Sequence, residues 1–288
     1  MKFWKAFLLF VAVAAVAWFA VCRPYSIPMG GMEPSLYRGD KVLVVKRWCD
    51  RALHRGDMVV YPVPQDVQDG SAGAFAGQCV ARVVGMPGDT IVLDSASRPV
   101  EIGGRPSAYA RELYRYDNSY DSRVAELLRK YDFGMSELLG YSGDDFVRAL
   151  TVDECEFLQR ANPDGLALRP LAPGGGEGAT ALVIPKKGRR VDVTPGNMAL
   201  LCQALRRYEG CDADTVGGKL VVGGQAVAAL VFGRDYYWLQ SENVADLNDS
   251  RRCGIMPRSA FDGRLIMTLF SWSPSVGVRW NRLFRHVQ

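Results

Sequence analysis

Histidine is scarce in this chain of 288 residues: only His54 and His286 occur, and no Cys-x-x-Cys pair is found. Zinc sites are commonly built from histidine and cysteine ligands at short spacings. We therefore expect no metal centre, and nothing in the sequence indicates a cofactor. The seven cysteines are odd in number and scattered, at positions 22, 49, 79, 155, 202, 211 and 253. One disulfide, with Cys202 and Cys211 as the nearest pair, and a set of small buried thiols both stay open.

Long basic stretches with interleaved aromatic residues are also missing. The formal net charge is +4, and the densest basic runs, at 186–190 and 206–207, are short. This pattern is typical of a solvated basic surface and argues against a nucleic-acid partner. With 48% hydrophobic and 23% charged residues, the composition indicates neither a disordered chain nor a polytopic membrane protein.

A long apolar run stands at the N-terminus, over residues 6–22. Lys2 and Lys5 precede it and Arg23-Pro24 follow it. The run is short for a membrane span and long for the apolar core of a signal peptide. An Ala-Val-Ala spacing within it leaves a cleaved signal peptide as an alternative. Because Arg23-Pro24 disfavour cleavage behind the run, we expect an uncleaved anchor over 1–22. The two lysines place its start in the cytoplasm and the remaining chain on the other side.

Short β-branched segments separated by glycine, proline and aspartate dominate two parts of the chain. They predict antiparallel strands at 41–46, 58–61, 79–84, 90–93, 219–222, 225–230, 235–239 and 265–272. The intervening part instead predicts helices at 122–132, 151–161 and 194–208, around a flexible loop at 173–178. Thr151 and Glu154 form a capping box for the second helix, and Thr194 is expected to cap the third.

This alternation predicts a mainly β fold interrupted by an insertion. We expect an anchor at 1–22, an antiparallel β core formed by 23–106 and 220–288, and an inserted α/β domain at 107–219. The chain is long enough for such an arrangement to bury a substantial core.

Four motifs occur in a fixed order behind the N-terminal run. They are Ile-Pro-Met-Gly-Gly-Met-Glu-Pro-Ser-Leu at 27–36 with Gly-Asp at 39–40, Arg-Gly-Asp-Met-Val-Val-Tyr at 55–61, Val-Ala-Arg-Val-Val-Gly-Met-Pro-Gly-Asp at 80–89, and the segment 235–264 with Asn-Asp-Ser-Arg at 248–251. Together they resemble the type I signal peptidase family. The segment 181–188 is also similar to the larger, Bacteroidetes-like members. The resemblance implies a β domain on the periplasmic side of the inner membrane, held by one N-terminal transmembrane helix.

In that family a serine attacks the scissile carbonyl and a lysine accepts its proton. A serine hydroxyl is a weak nucleophile without an adjacent base. A lysine can act as that base only where burial lowers its pKa. The resemblance implies two further serines, one that helps to hold the oxyanion and one that orients the lysine.

These four chemical positions carry other residues in this sequence. The nucleophile falls on Gly31, the oxyanion serine on Met29, the lysine on Ala81 and the lysine-orienting serine on Leu247. The positions that support the scaffold still match, among them Arg82, Asp249 and Arg251. Loss of a nucleophile or base costs on the order of 10⁶ in turnover. We therefore expect the family's reaction to be absent.

Other side chains near the motifs are poor substitutes. Ser35 matches a hydroxyl position that the family uses structurally, and Ser26 flanks the same loop. Alternation along the next strand is expected to direct Lys41 and Lys46 to solvent. His54 precedes the Arg-Gly-Asp motif and is expected to be a surface turn residue.

The sequence thus favours a catalytically silent, membrane-anchored relative that binds signal peptides of exported proteins or a secretion or assembly protein. Ile27, Pro28 and the strand containing Gln78, Cys79 and Val80 would form the groove edges. Met32, Leu36, Val80 and Ala81 would line its apolar pockets, unless they are simply core residues. Two alternatives stay open: an active signal peptidase with a displaced catalytic pair, and a structural or chaperone-like scaffold for surface assembly.

Overall fold

The computed structural model describes Trp4, Phe7 and residues 20–28, 30–33, 35–46, 52–69, 77–93, 99–106, 112–131, 138–162, 165–170, 180–243, 248–273 and 277–287. Within these residues no helix is long and apolar enough to cross a membrane. The predicted anchor lies almost entirely outside them, and the predicted loop at 173–178 lies wholly outside them.

The described chain is mainly β-structure. Its strands are β1 (Cys22–Ser26), β2 (Lys41–Lys46), β3 (Met58–Pro62), β4 (Gln78–Gly85), β5 (Thr90–Leu93), β6 (Pro99–Ile102), β7 (Arg105–Pro106), β8 (Glu112–Asp117), β9 (Leu138–Ser142), β10 (Asp145–Leu150), β11 (Arg169–Pro170), β12 (Thr180–Val183), β13 (Arg190–Asp192), β14 (Ala213–Val216), β15 (Lys219–Val222), β16 (Gln225–Val227), β17 (Ala229–Val231), β18 (Tyr236–Gln240), β19 (Met256–Pro257), β20 (Gly263–Phe270), β21 (Trp272–Ser273), β22 (Gly277–Val278) and β23 (Arg285–His286).

The helices are short. They are α1 (Gln65–Asp69), α2 (Asp121–Lys130), α3 (Val152–Ala161), α4 (Met198–Ala204) and α5 (Ser250–Cys253), with a π-helical turn at Leu205–Glu209 and 3₁₀ turns at Asn118–Tyr120, Arg258–Ala260 and Trp280–Arg282. The helix predicted at 122–132 is thus confirmed as α2, and the one at 151–161 as α3 with its capping box.

The largest sheet is antiparallel, with the strand order β1-β2-β20-β3-β4-β18-β19 and β23 beside β20. Side chains of a strand alternate between the two faces of its sheet. On one face lies the loop cluster: Ile27, Met32, Leu36, Val42, Val44, Met58, Val60, Val80 and Leu265. On the other lies the strand cluster: Leu53, Val59, Tyr61, Val63, Val67, Cys79, Ala81, Val83, Tyr237, Leu239, Cys253, Met256 and Phe261. Strand β4 is buried because apolar residues cover both of its faces.

Residues of the predicted insertion share a second core with residues that precede and follow it in the chain. Strand β12 pairs with β5, and β13 pairs with β17. Apolar residues of α4 pack with Trp238 and Ile91 in the same cluster. The predicted helix at 194–208 is present, but α4 begins at Met198 after a turn in which Thr194 Oγ1 accepts from Asn197 N at 3.3 Å. The predicted strand at 225–230 is divided at Ala228, whose carbonyl accepts from Val193 N.

A separate apolar cluster lies around the sheet β11-β8-β10-β9 and the helices α2 and α3. Arg148, Asp121 and Tyr116 form a hydrogen-bonded triad there, with Arg148 Nη2 2.6 Å from Asp121 Oδ1. Tyr116 Oη donates to the same carboxylate atom at 2.6 Å. This unit has the α/β character predicted for the insertion, while the boundaries drawn at 107 and 219 stay a prediction.

Six cysteines, all except Cys49, lie in the described residues, and Cys202 and Cys211 are free thiols. Cys202 and Cys211, the pair nearest in sequence, are therefore not bridged. Burial raises the pKa of the Cys253 thiol to about 12, so this side chain behaves as a small apolar core residue.

Candidate peptide-binding site

The loop that follows β1 is held by backbone hydrogen bonds. Glu33 N donates to Gly30 O at 3.1 Å, and Leu36 N donates to Met32 O at 2.7 Å. The carbonyl of Gly31, at the predicted nucleophile position, accepts from Asn243 N at 3.0 Å. Gly31 is buried and is not among the described glycines with a positive φ.

A buried ion pair supports this loop from β4. Arg82 Nη2 donates to Glu242 Oε1, and Arg82 Nε lies 3.2 Å from the same atom. The Ser35 hydroxyl donates to Glu242 Oε1 at 2.8 Å, while Arg82 Nη1 donates to Gly56 O at 2.7 Å. One carboxylate thus joins the loop, β4 and the segment behind β18.

These contacts argue against Ser35 as a displaced nucleophile. Its proton points to Glu242, and that carboxylate is neutralised by Arg82. The hydroxyl therefore acts as a hydrogen-bonding link, as the resemblance implied for this position.

Asp249 and Arg251 organise the last motif. Arg251 Nη2 lies 2.8 Å from Asp249 Oδ2, and the same carboxylate atom accepts from Ser241 N at 2.7 Å. Asp249 also caps α5 by accepting from Arg251 N. The side chains of both are almost fully buried, so the pair fixes the turn behind β18 rather than facing substrate.

The C-terminal segment closes over the far side of the loop. Arg282 Nη2 donates to Ser35 O and lies 3.1 Å from Asp40 Oδ2. The guanidinium groups of Arg279 and Arg282 lie 4.4 and 4.8 Å from the ring centroid of Tyr37. These cation–π contacts and hydrogen bonds tie the chain end to the segment between the loop and β2.

The four chemical positions are divided between described and undescribed residues. Ala81 is fully buried in the strand cluster and pairs with Val59 of β3. Gly31 lies in the loop described above, while Met29 and Leu247 lie outside the described residues.

The predicted groove residues divide between the two faces of the sheet. Ile27, Met32, Leu36 and Val80 belong to the loop cluster and are nearly inaccessible. Cys79 belongs to the strand cluster, whereas Pro28 and Gln78 are half-buried. The apolar pocket residues are thus packed against one another, which agrees with the core interpretation that the sequence left open.

One edge of β4 lacks a strand partner along part of its length. Gly77 O and Val83 O accept hydrogen bonds from the β3 side. Because backbone groups alternate in direction along a strand, Gln78 and Val80 point theirs the other way. On that side β18 pairs with β4 only from Arg82 onward, so no described strand pairs with the edge at 78–81.

The opposing edge belongs to β1. Ile27 N donates to Asp40 O and Ile27 O accepts from Gly39 N, both at 2.9 Å. The backbone of Ile27 is therefore engaged on the β2 side. By alternation, the outward-facing groups are the carbonyl of Pro24 and the amide and carbonyl of Ser26.

Sequence reasoning missed Glu242, Asn243 and Arg282. Glu242 stands in the polar stretch before the last motif, and a buried arginine in β4 was a signal that a carboxylate partner is needed. The backbone contact of Asn243 carries no signal in the sequence. The remaining candidates are peripheral, with Lys41 exposed and His54 at the surface 3.7 Å from Asp57.

The described residues thus form an antiparallel β scaffold with a braced loop and a buried Arg–carboxylate pair. The model of one family, signal peptidase, peptidase S26, matches residues 1–144, which is half of the chain. The chain belongs to the type I signal peptidase family. Among curated proteins, none matches it. The fourth motif lies beyond the matched residues. The contact between Arg82 in the third motif and Glu242 in the fourth joins these two motifs.

Proposed function

We propose that this protein is a catalytically silent member of the signal peptidase family that binds extended peptides, such as signal peptides of exported proteins. The observation that carries the proposal is that the contacts bracing the loop are present, whereas two positions that carry the reactive side chains in the family have none here. Arg82, Glu242 and Ser35 brace the loop, while Gly31 offers no nucleophile and Ala81 offers no base.

Peptide binding can persist without catalysis because strand addition uses only backbone groups. The edge of β4 at Gln78 and Val80, which pairs with no described strand, would offer both donors and acceptors to a peptide lying between it and Pro24 and Ser26 of β1. Side chains at alternate peptide positions would meet the surface of the loop cluster.

The proposed location is the periplasmic face of the inner membrane, with the N-terminal run as a single anchor. This follows from Lys2 and Lys5 before the apolar residues 6–22. A signal peptide leaving the membrane would reach a groove tethered there.

The test is cleavage of a synthetic signal-peptide substrate by the full chain in detergent, beside the variant Gly31→Ser/Ala81→Lys. We expect no cleavage by the native chain. Cleavage that survives Ser26→Ala and Ser35→Ala would reveal another catalytic pair and overturn the proposal.

Binding is measured separately by fluorescence anisotropy of a labelled signal peptide. Saturable binding by the native chain supports the peptide groove. Crosslinks from residues 78–81 to the peptide would locate it there, whereas crosslinks only from α2 or α3 to other envelope proteins would favour a scaffold.

A further inference from the structure

A side chain of β1 reaches across to β4. The Tyr25 hydroxyl donates to Gln78 O at 2.9 Å. These two strands are not neighbours in the sheet, because β2, β20 and β3 lie between them in the strand order. The contact is therefore a tertiary link between the two edges that flank the proposed peptide groove.

The carbonyl that Tyr25 engages is one that an added strand would use. Gln78 directs its backbone groups away from β3, toward the open side of β4. A peptide paired with this edge would donate an N–H group to Gln78 O. The Tyr25 hydroxyl now occupies that acceptor.

A second link joins the same strands through Asp262, the residue just before β20. Gln78 Nε2 donates to Asp262 Oδ2, and Arg23 Nη2 lies 3.5 Å from the same oxygen. Asp262 N donates to Val60 O at 2.8 Å, which holds the acid against β3. Two side chains of β1 are thus linked to Gln78, Tyr25 directly and Arg23 through Asp262.

The environment keeps Tyr25 in the donor form. Burial raises the pKa of its hydroxyl to about 12, and its ring packs against the loop cluster. The Arg23 guanidinium lies 6.0 Å from the ring centroid. The hydroxyl is therefore protonated, and its ring held, throughout the physiological pH range.

We propose that Tyr25, Gln78, Asp262 and Arg23 form a latch that holds β1 against β4, and that this latch must release before an extended peptide can pair with β4. This inference rests on the proposed peptide groove. It adds that the native chain holds the groove closed and that peptide affinity is set by competition with the latch.

The first measurement needs no peptide. Hydrogen–deuterium exchange of the full chain is compared with that of Tyr25→Phe, which keeps the ring and removes one hydroxyl. We expect faster exchange confined to segments 22–26 and 78–81. The control Tyr236→Phe removes a hydroxyl that donates to Glu209 at 2.9 Å in another cluster, and it should leave both segments unchanged.

The second measurement is anisotropy of a labelled signal peptide with the same proteins. Tyr25→Phe should tighten peptide binding about fivefold, because the net free energy of the one hydrogen bond that competes with the peptide is lost. Asp262→Ala should act in the same direction by freeing Gln78 and Arg23, while Tyr236→Phe should bind as the native chain does.

The outcomes separate the two proposals. Unchanged exchange in both Tyr25→Phe and Asp262→Ala would overturn the latch, whatever the peptide does. Faster exchange together with tighter binding would support both ideas. Faster exchange without peptide binding by any variant would retain the link between the strands but reject peptide capture and its gating.

Discussion

Arg82 and Glu242 form an ion pair in which the side chains are 6% and 9% exposed. Glu242 also accepts the Ser35 hydroxyl, so the pair lies between β4 and the loop that carries Gly31. Breaking a buried pair leaves one charge uncompensated, which is far more costly than losing an exposed pair.

We expect Glu242→Ala to lower the free energy of unfolding by about 3–5 kcal/mol, measured by urea denaturation. The control is Glu156→Ala, which removes an exposed partner of Arg160 and should cost less than about 0.5 kcal/mol. Equal effects of the two substitutions would mean that the Arg82–Glu242 contact does not brace the fold.

Ala81→Lys places an amine in the strand cluster, where Ala81 is fully buried. Overpacking and desolvation of the ammonium group should destabilise the chain by about 3–5 kcal/mol in thermal melts. Ala226→Lys, at an exposed site in β16, serves as the matched control and should change stability little.

The Ala81→Lys result decides how the cleavage test is interpreted. A silent Gly31→Ser/Ala81→Lys variant is informative only where its melting transition shows a folded chain. A lysine tolerated without loss of stability would contradict the close packing around Ala81.

Arg282→Ala should release the segment between the loop and β2, because Arg282 contacts Ser35 O, Asp40 and the Tyr37 ring. We expect a loss of about 2–4 kcal/mol in chemical denaturation. Hydrogen exchange should rise at 35–40.

Arg206→Ala is the comparison for Arg282→Ala, since it removes only an exposed pair with Asp214. It should leave exchange at 35–40 unaltered. If both substitutions behaved alike, the chain end would have no role in holding the loop.

Asp121 forms an acid-sensitive contact in the apolar cluster around α2 and α3. Burial tends to raise the pKa of this carboxyl, but hydrogen bonds from Tyr116 and Arg148 outweigh that effect and hold the pKa below its ordinary value. The folded state therefore gains stability above the ordinary pKa of about 4, and loses it as pH falls through the folded pKa.

The measurement is hydrogen-exchange protection of 112–131 at pH 7 and pH 3, corrected for the intrinsic rate. We expect native protection to fall at pH 3. Asp121→Asn should already be less protected at pH 7 and should change less with acid. Asp192→Asn, which removes an exposed pair with Arg190, should follow the native profile. An acid response in Asp121→Asn as large as the native one would rule out this carboxylate as its source.

Much of the secondary structure could be predicted because its causes are local. The β-branched run of β2 and the capping box of Thr151 and Glu154 act over neighbouring residues. The divided strand at 225–230 could not be predicted, because the break at Ala228 follows from its contact with Val193 in a distant segment.

The candidate site was only half predictable for a similar reason. Motif order pointed to the family, and the resemblance predicted that the family's nucleophile and base positions fall on Gly31 and Ala81. It did not predict that Glu242 would neutralise Arg82 or that Tyr25 would reach Gln78. Such partners are separated by 160 and 53 residues, and no local preference pairs them.

The sequence by itself determined which side chains this protein has: positions 31 and 81 carry glycine and alanine, and neither side chain has a group that can act as nucleophile or base. Only the tertiary structure decided what surrounds those positions, since burial, ion pairing and open strand edges arise when distant segments meet. The contact between β1 and β4 is such a property, because it depends on a sheet that brings Tyr25 within hydrogen-bonding distance of Gln78, although three strands lie between β1 and β4 in the strand order.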